Sequence, residues 1–330
     1  MTEIKSVLTT VTYTGRHLEA LKELFAPAPV TVLDADDAEG IARTLPTVDV
    51  AVLRADLDER HIATPNLKWV HCDHAGLDRS AKPEFLARQD LVITGSAGRA
   101  APALAQHALF LALGLIYDAP NLEHQRANHE WGGRVDFSWR RCLWGKTAGI
   151  IGMGNTGQAL VPLLRACGMR ILAYGRGADQ DVSGVDQYWD AAAGQGVDEI
   201  LPEADVLILC VQLTDQTHHL INRETLQAMK ASALLINIAR GPVVDTDALV
   251  WALENDVIAG AGLDVFEQEP LPADAAVWDA PRIIITPHVT AEMPDLTARS
   301  LDIIGENVRR YKAGEPLLNR LMPADSFSHY

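Results

Sequence analysis

Short apolar runs alternate with helical patterns along the first hundred residues of the chain. The helical patterns include His17–Leu24 and Ala38–Thr44. Strands that alternate with helices in this way predict a parallel sheet with helices on both faces. The strands predicted in this first series are Ser6–Thr12, Val30–Leu33, Val48–Leu53, Lys68–Cys72 and Leu91–Thr94.

A second series of the same kind begins near Lys146 and is followed by a predicted helix, Thr297–Tyr311. Between the two series, the segment 102–144 opens with an apolar helix, Ala103–Ile116, and continues into a polar stretch that contains several Trp residues. The strands predicted in the second series are Thr147–Ile151, Arg170–Tyr174, Val206–Val211, Ala233–Ile238, Gly260–Val265 and Ile283–Thr286.

The length of the chain, 330 residues, exceeds the usual size of one hydrophobic core, so two domains are expected. We predict a discontinuous first domain made of residues 1–101 and 293–330, and a second domain made of residues 102–292. Pro102 and the segment Glu292–Pro294 are the candidate hinges, because both fall between the two α/β series. A cleft is expected between the domains.

Composition narrows the function classes. Hydrophobic residues make up 48% of the chain and charged residues 22%, which is ordinary for a globular protein. With 28 Lys and Arg against 44 Asp and Glu, the net charge is −16, so nothing favours broad binding to nucleic acid or to an anionic membrane. An anionic substrate would have to be held by a few local donors.

The cysteines and the ends of the chain bear on its compartment. Cys72, Cys142, Cys167 and Cys210 form no CxxC pair, and no His cluster has the spacing of zinc ligands, so no metal site is predicted. Four scattered thiols favour a reducing compartment. The first residues lack the apolar core of a signal peptide, and no run of 18 apolar residues exists. We therefore expect a cytoplasmic protein without a membrane span.

A glycine-rich loop is the most informative motif. The apolar strand that starts at Thr147 leads directly into Gly152-x-Gly154-x-x-Gly157, and a helix, Gln158–Cys167, and a second strand follow. In such a unit the first glycine permits a tight turn, the second lets the main chain approach a pyrophosphate, and the third allows close helix packing. Free amides at the helix start then bind the phosphate. A dinucleotide site is predicted here, with Asn155 and Thr156 inside the loop.

The residues after the second strand bear on the choice of coenzyme. An NAD site usually has an acidic residue there, which binds the ribose 2′-hydroxyl. This chain has Gly175 followed by Arg176, whose guanidinium suits a 2′-phosphate. NADP is therefore favoured over NAD, although Asp179 or Asp181 remains close enough in sequence to serve the ribose. On this reasoning, Gly175→Asp should favour NADH.

Three further segments carry a family resemblance. They read LINIARGPVVD at 235–245, GLDVFEQEPLP at 262–272 and TPH at 286–288. Together with the glycine loop they resemble the D-isomer-specific 2-hydroxyacid dehydrogenases, in the order and spacing of that family. KWVHCDHAGLD at 68–78 matches more loosely. The resemblance implies a flavodoxin-like substrate domain and a Rossmann coenzyme domain, both doubly wound, and a glyoxylate or hydroxypyruvate reductase-like activity on a small 2-keto acid.

The resemblance carries over three catalytic residues: Arg240, Glu269 and His288. Reduction of a keto acid builds negative charge on the carbonyl oxygen, so a protonated His288 suits the role of proton donor. Glu269, bonded to the other ring nitrogen, would hold the tautomer and raise the pKa of His288. Arg240 would bind the carboxylate and polarise the carbonyl.

Other sites follow from the same resemblance. Ile238 and Ala239 would line the nicotinamide pocket, Val211 would lie near the adenosine, and Asp264 would meet the carboxamide or simply cap its strand. The amides of Ala75 and Gly76 would grip the substrate carboxylate, and His74 either lines that pocket or points away as a satisfied loop residue. The chain departs from the common family pattern at Asp73–His74, Gln106 and Gln212.

The segment between the two α/β series bears on the oligomeric state of the protein. The segment 102–144, with Trp131, Trp139 and Trp144, has no core of its own and predicts a homodimer interface; the alternative is that these indoles pack within the chain.

Two other functions share this scaffold. A formate dehydrogenase uses a Gln beside its His, which Glu269 argues against. A cofactor-sensing binding protein resembling the C-terminal-binding corepressors keeps the same trio, and a turnover assay separates it from an enzyme.

Overall fold

The computed structural model describes residues 3–132, 142–177 and 181–329 of the chain. Its main chain divides into two compact units: residues 1–100 with 293–330, and residues 101–292. Each unit is built around its own parallel sheet. Trp139 and Asp179, two residues singled out from the sequence, lie outside the described residues.

The first unit contains a five-stranded sheet in the order β2-β1-β3-β4-β5, with every pairing parallel. The order is flavodoxin-like, and the chain changes direction across the sheet between β1 and β3. Its strands are β1 Val7–Thr9, β2 Val30–Val32, β3 Val50–Leu53, β4 Trp69–Cys72 and β5 Val92–Gly95. Its helices are α1 Gly15–Phe25, α2 Ala38–Thr44, α3 Glu59–Ile62, α4 Pro83–Leu86 and, near the end of the chain, α10 Leu296–Ala313.

Apolar side chains cover both faces of this sheet. The central strands β1, β3 and β4 are fully buried, as expected of strands with helices on either side. On one face Phe25 of α1 and Ile304 of α10 pack around Trp69, whose indole stacks on Tyr311 with ring centroids 5.6 Å apart. The C-terminal helix therefore completes the core of the unit that begins the chain.

The second unit contains a seven-stranded parallel sheet in the order β12-β11-β10-β9-β6-β7-β8. This is the Rossmann strand order with one added strand. From β6 the chain first adds strands on one side of the sheet and then, from β9, on the other side. The strands are β6 Thr147–Ile151, β7 Arg170–Gly175, β8 Gln187–Asp190, β9 Val206–Leu209, β10 Leu234–Asn237, β11 Gly260–Leu263 and β12 Ile283–Ile285. The helices are α5 Ala101–Ile116, α6 Ala119–Ala127, α7 Asn155–Ala166, α8 Arg223–Ala228 and α9 Thr246–Glu254.

The prediction of two doubly wound parallel sheets is confirmed, and the differences lie mainly at the ends of elements. Several strands stop earlier than their apolar runs, because the last apolar residues have already turned into site loops; β9 ends at Leu209, not at Val211. Helix α5 begins at Ala101, one residue before Pro102, since proline is tolerated in a first helical turn. Strand β8 was not predicted from the sequence.

Helices α5 and α6 and the turn between them expose apolar side chains to solvent. Phe110, Tyr117 and Leu122 are each about half exposed, and Trp131 and Trp144 are more exposed still. Among the described residues, no single helix is long and apolar enough to cross a membrane; only α5 and α6 taken together pass by length and composition, and they are bent by 64° at their junction.

Candidate active site

The glycine loop after β6 is shaped by close main-chain contacts. Gly152 has φ = +109°, and a Cβ there would lie 2.7 Å from the carbonyl group of Cys210. A Cβ on Gly157 would overlap the carbonyl oxygen of Gly152. The first and third glycines are therefore required by the turn and by the close approach of α7, as the motif predicts.

Gly154 differs from the other two glycines, because nothing lies within 4 Å of the position its Cβ would take. It is the N-cap of α7, so the amides of Asn155 and Thr156 belong to the first turn, where they lack partners within the helix. An open approach to a helix start suits a pyrophosphate. The loop therefore fits a dinucleotide on geometric grounds.

The neighbouring strand end is tied to this loop. The thiol of Cys210, directly after β9, donates to the carbonyl of Gly152 at 3.0 Å, and burial raises the pKa of that thiol to about 12. Val211 follows and is half-buried. At the end of β7, Gly175 is buried and Arg176 is exposed. The residues predicted to meet the adenosine half thus follow β6, β7 and β9, which are adjacent strands.

The loop after β10 carries Arg240 and is fixed by a buried asparagine. The side chain of Asn237 accepts from the amide of Ala239 at 3.0 Å and donates to the carbonyl of Arg240 at 3.1 Å. Ile238 and Ala239 are buried, while the Arg240 guanidinium donates to the carbonyl of Ala239 at 2.8 Å. Sequence reasoning missed Asn237; its position inside the motif 235–245, three residues before Arg240, was the available signal.

Glu269 and His288 form a hydrogen-bonded pair. Oε2 of Glu269 lies 2.6 Å from Nδ1 of His288, and Oε1 accepts from the amide of Phe266 at 2.9 Å. The hydrogen bond to Glu269 holds the pKa of His288 above its usual value, against burial and the charge of Arg240. Burial alone would raise the pKa of Glu269, but His288, Phe266 and Arg240 together hold it below its usual value. In the structure, the charge of Arg240 therefore acts on the pKa of both Glu269 and His288, so the three predicted residues interact electrostatically.

The loops that carry this trio are packed against each other. A Cβ on Gly241, the residue after Arg240, would overlap the main chain of Phe266, in the loop that leads to Glu269. The Glu267 carboxylate accepts from the amide of Thr246 at 3.2 Å and from His219 at 2.6 Å. The segments after β9, β10 and β11 are therefore joined, and Gly241 is a second residue that sequence reasoning missed.

Asp264, directly after β11, is buried and organises the segment that carries His288. Its carboxylate accepts from the Thr286 hydroxyl at 2.6 Å, from the amides of Val289 and Thr290 at 3.1 and 3.2 Å, and from the Thr290 hydroxyl. The main chain of Asp264 accepts from the amide of His288 at 2.9 Å. These contacts match the strand-end cap; the contact with a carboxamide stays a prediction.

The loop 73–76 lies in the other unit, after β4. The Asp73 carboxylate accepts hydrogen bonds from Tyr13 at 2.7 Å, Arg99 at 2.9 Å and Ser96 at 3.0 Å, so its charge is compensated inside the unit. Burial, followed by the charge of Asp73, raises the pKa of Tyr13 far above its usual value. Tyr13 therefore stays protonated as a donor.

His74 fits neither of the two alternatives fully. Its Nδ1 atom is 2.8 Å from the carbonyl of Gly76, within its own loop. Its Nε2 atom is buried, has no hydrogen-bond partner and lies 3.7 Å from the carboxylate of Asp56. Asp73 and His74 both line a cavity of about 360 Å³, with Tyr13 and Arg54 also in its wall. Ala75, which follows His74 in the chain, is exposed, and Gly76 is half-buried. Across the described ranges, no group of His, Cys, Asp and Glu has a metal-binding arrangement.

Comparisons with known proteins point to one family. A model of the NAD binding domain of D-isomer specific 2-hydroxyacid dehydrogenases matches residues 109–290. A glyoxylate reductase of Thermofilum pendens is 34% identical over 259 residues, which cover 77% of this chain and 74% of that enzyme. A glyoxylate reductase of Pyrococcus horikoshii is 41% identical over 181 residues, which cover 54% of this chain and only 53% of that enzyme.

A solved structure is similar along almost the whole chain. It is a D-isomer specific 2-hydroxyacid dehydrogenase from Xanthobacter autotrophicus, in complex with NADPH and MES. It is 28% identical, covers 97% of this chain and 98% of its own, and has a TM-score of 0.80.

Proposed function

Because the chain belongs to the D-isomer specific 2-hydroxyacid dehydrogenase family, we propose that it reduces small 2-keto acids to D-2-hydroxy acids, with NADPH favoured over NADH. The observation that carries the proposal is the 2.6 Å contact between His288 and Glu269. The charge of Arg240 acts on this pair, and all three residues belong to the unit that holds the glycine loop. An acid, the carboxylate that orients it and a guanidinium are the groups this reduction needs.

The trio has distinct roles in the proposed mechanism. Arg240 binds the substrate carboxylate and polarises the keto oxygen. When bound, the reduced nicotinamide supplies the hydride that the carbonyl carbon accepts. His288 transfers a proton from Nε2 to the carbonyl oxygen, because Nδ1 is engaged by Glu269, and the product is the hydroxy acid. Glu269 stabilises the charged imidazolium before the transfer and keeps the ring in place.

The coenzyme would be held by residues of the second unit. The amides of Asn155 and Thr156, with Gly152, Gly154 and Gly157, suit the pyrophosphate, and Arg176 suits a 2′-phosphate. Val211, Ile238, Ala239 and Asp264 would border the remaining parts. Support for NADPH comes from Gly175, which leaves no carboxylate at the end of β7, and from the similar Xanthobacter structure, which contains NADPH.

The proposed substrates are glyoxylate and hydroxypyruvate. Two relatives are glyoxylate reductases, which supports a small keto acid. In the first unit, His74 and the amides of Ala75 and Gly76 are proposed to bind the substrate. We further propose that the protein is a cytoplasmic homodimer that pairs through the segment 102–144, on whose helices several large apolar side chains are exposed.

A substrate panel tests the proposal. Glyoxylate, hydroxypyruvate, pyruvate and larger 2-keto acids would each be assayed with NADPH and with NADH, and formate with the oxidised coenzymes. We expect turnover of the small keto acids, highest with NADPH, and D-configured products. Absence of turnover, with coenzyme binding retained, would instead favour a cofactor-sensing binding protein.

A further inference from the structure

Strand β8 stands beside the point where the coenzyme's ribose phosphate is proposed to bind. It is the edge strand of the second sheet and pairs with β7 in parallel, placing Tyr188 opposite Ala173 and Asp190 opposite Gly175. Because side chains alternate along a strand, Tyr188 and Asp190 project from the same face as the position of Gly175. Two β8 side chains therefore border the segment Gly175–Gly177.

Tyr188 occupies the space that a side chain at position 175 would need. A Cβ built on Gly175 would lie 2.9 Å from the Tyr188 hydroxyl oxygen and 3.2 Å from Cβ of Met153 in the glycine loop. The Tyr188 ring packs on the second unit's core, and its hydroxyl donates to the carbonyl of Gly177 at 3.1 Å. The ring therefore cannot move away without giving up packing and that hydrogen bond.

Asp190 holds the main chain beside Arg176. Its carboxylate accepts from the amide of Gly177 at 2.9 Å and from the amide of Ala192 at 2.8 Å. The amide of Asp190 is in turn fixed by the side chain of Gln195 at 2.7 Å. Burial and the charge of Asp190 also raise the pKa of Tyr188, which keeps that hydroxyl protonated. Although Asp190 is acidic and close to the end of β7, its carboxylate serves the main chain.

We propose that β8 determines the coenzyme preference: Tyr188 excludes an acidic side chain at position 175, and Asp190 fixes the main chain that presents Arg176. Both are positioning residues, since they act through their neighbours. This inference rests on the proposed preference for NADPH. It also changes the earlier expectation for Gly175→Asp, because that replacement alone would collide with Tyr188 and place a carboxylate near Asp190. The exclusion by Tyr188 has to be removed first.

Direct coenzyme binding tests the exclusion by Tyr188. Dissociation constants for NADPH and NADH would be measured by calorimetry for the unmodified protein, Gly175→Asp, Tyr188→Phe and the double variant. Gly175→Asp alone should weaken the binding of NADPH and should not strengthen the binding of NADH. Adding Tyr188→Phe should tighten NADH by about tenfold relative to Gly175→Asp, which corresponds to ~1.4 kcal/mol. A Gly175→Asp variant that binds NADH as tightly as the double variant would overturn the proposal.

The controls separate this contact from general effects. Tyr311→Phe removes a phenol hydroxyl in the other unit, so it should not restore NADH binding to Gly175→Asp. If Gly175→Asp does not fold, Gly175→Ala takes its place. Gly175→Ala should lower the thermal midpoint, and Tyr188→Phe should recover part of the loss; strictly additive effects would contradict the contact.

Asp190 is tested by a pair of variants. Asp190→Ala removes the acceptor for Gly177 and should weaken NADPH more than NADH, whereas Asp190→Asn keeps an oxygen acceptor and should retain the preference. Equal loss for both coenzymes in Asp190→Ala would refute the role of Asp190. Should the unmodified protein bind NADH as well as NADPH, the proposed preference fails, but the single and double variants still report the contact between positions 175 and 188.

Discussion

Nδ1 of His288 lies 2.6 Å from Oε2 of Glu269, and the other oxygen of that carboxylate accepts from the amide of Phe266. Both Glu269 oxygens are therefore engaged, and Nε2 is the ring nitrogen left for proton transfer. The Glu269 carboxylate is held both by the amide of its own loop and by the imidazole, so the ring of the proposed acid is oriented without a bound substrate.

The pH dependence of the reaction follows from this pair. The pKa of His288 is raised chiefly by its hydrogen bond to Glu269, and keto-acid reduction needs the protonated ring, so activity should be present below that pKa and fall as pH rises through it. Glu269→Gln removes the carboxylate charge, so the alkaline limb of the kcat profile should move to lower pH. An unchanged limb in Glu269→Gln would contradict the assignment. For oxidation of the hydroxy acid the sign reverses, because the neutral ring is then the base.

Loss of the imidazole itself should be more severe. His288→Ala removes the proton donor and should lower kcat by about 10²–10⁴-fold, the range typical of a missing acid–base group. NADPH binding, measured by fluorescence, should be nearly unchanged. His329→Ala, which alters an exposed histidine of the other unit, is the matched control and should retain full activity. A His288→Ala variant with more than half of the original rate would exclude this residue as the donor.

Arg240→Lys tests whether two-pronged binding matters. Lysine keeps the charge but loses the planar fork, so kcat should fall and KM for the keto acid should rise together. The control is Arg165→Lys, since Arg165 forms a surface pair with Asp186 at 2.8 Å in the same unit. Steady-state kinetics on both variants decide the matter; wild-type constants for Arg240→Lys would rule out the bidentate role.

Arg176 should carry most of the preference for NADPH. A charge-assisted contact contributes about 1.5–3 kcal/mol, so we expect NADPH to be favoured by roughly 10- to 100-fold in kcat/KM. Arg176→Ala should weaken NADPH and leave NADH almost unaffected, and the preference should shrink as salt increases. Arg170→Ala, at the opposite end of the same strand, is the control and should change neither coenzyme. Equal efficiencies in the unmodified protein would defeat the assignment.

Light scattering tests the proposed dimer. The exposed apolar side chains of α5 and α6 predict a dimer mass at micromolar concentration. Leu122→Asp places a charge on this surface and should shift the mass toward the monomer. Val32→Asp alters an exposed valine on the edge strand β2 of the other unit and should not. A monomer mass for the unmodified protein would refute the interface.

The sequence predicted what depends on local pattern and missed what depends on neighbours. Most strands were identified because buried parallel strands are continuous apolar runs. Strand β8 reads QYWD, and only Trp189 is buried, so its sequence pattern resembles that of a loop. It is a strand because it pairs with β7, which the sequence pattern does not show. An edge strand with one fully covered residue lacks the hydrophobic signal of a central strand.

The site shows the same division. Arg240, Glu269 and His288 stand in motifs that are visible along the chain, whereas the contacts that orient them join distant residues. Tyr13 and Asp73 are 60 positions apart and share a 2.7 Å hydrogen bond, and no pattern in the sequence pairs them. The two residues meet because Tyr13 follows β1 and Asp73 follows β4, and both strands belong to one parallel sheet.

The close approach of Gly241 to Phe266 has a consequence for how such a site can change. Any side chain at position 241 would require the Phe266 main chain to move, and the Phe266 amide is what holds Glu269. The two loops therefore cannot be diversified independently, and a library that randomises one alone should lose activity in most of its members. The loop 73–76, which is proposed to bind the substrate, belongs to the other unit, so its residues can be varied while the sequences of both of these loops stay unchanged.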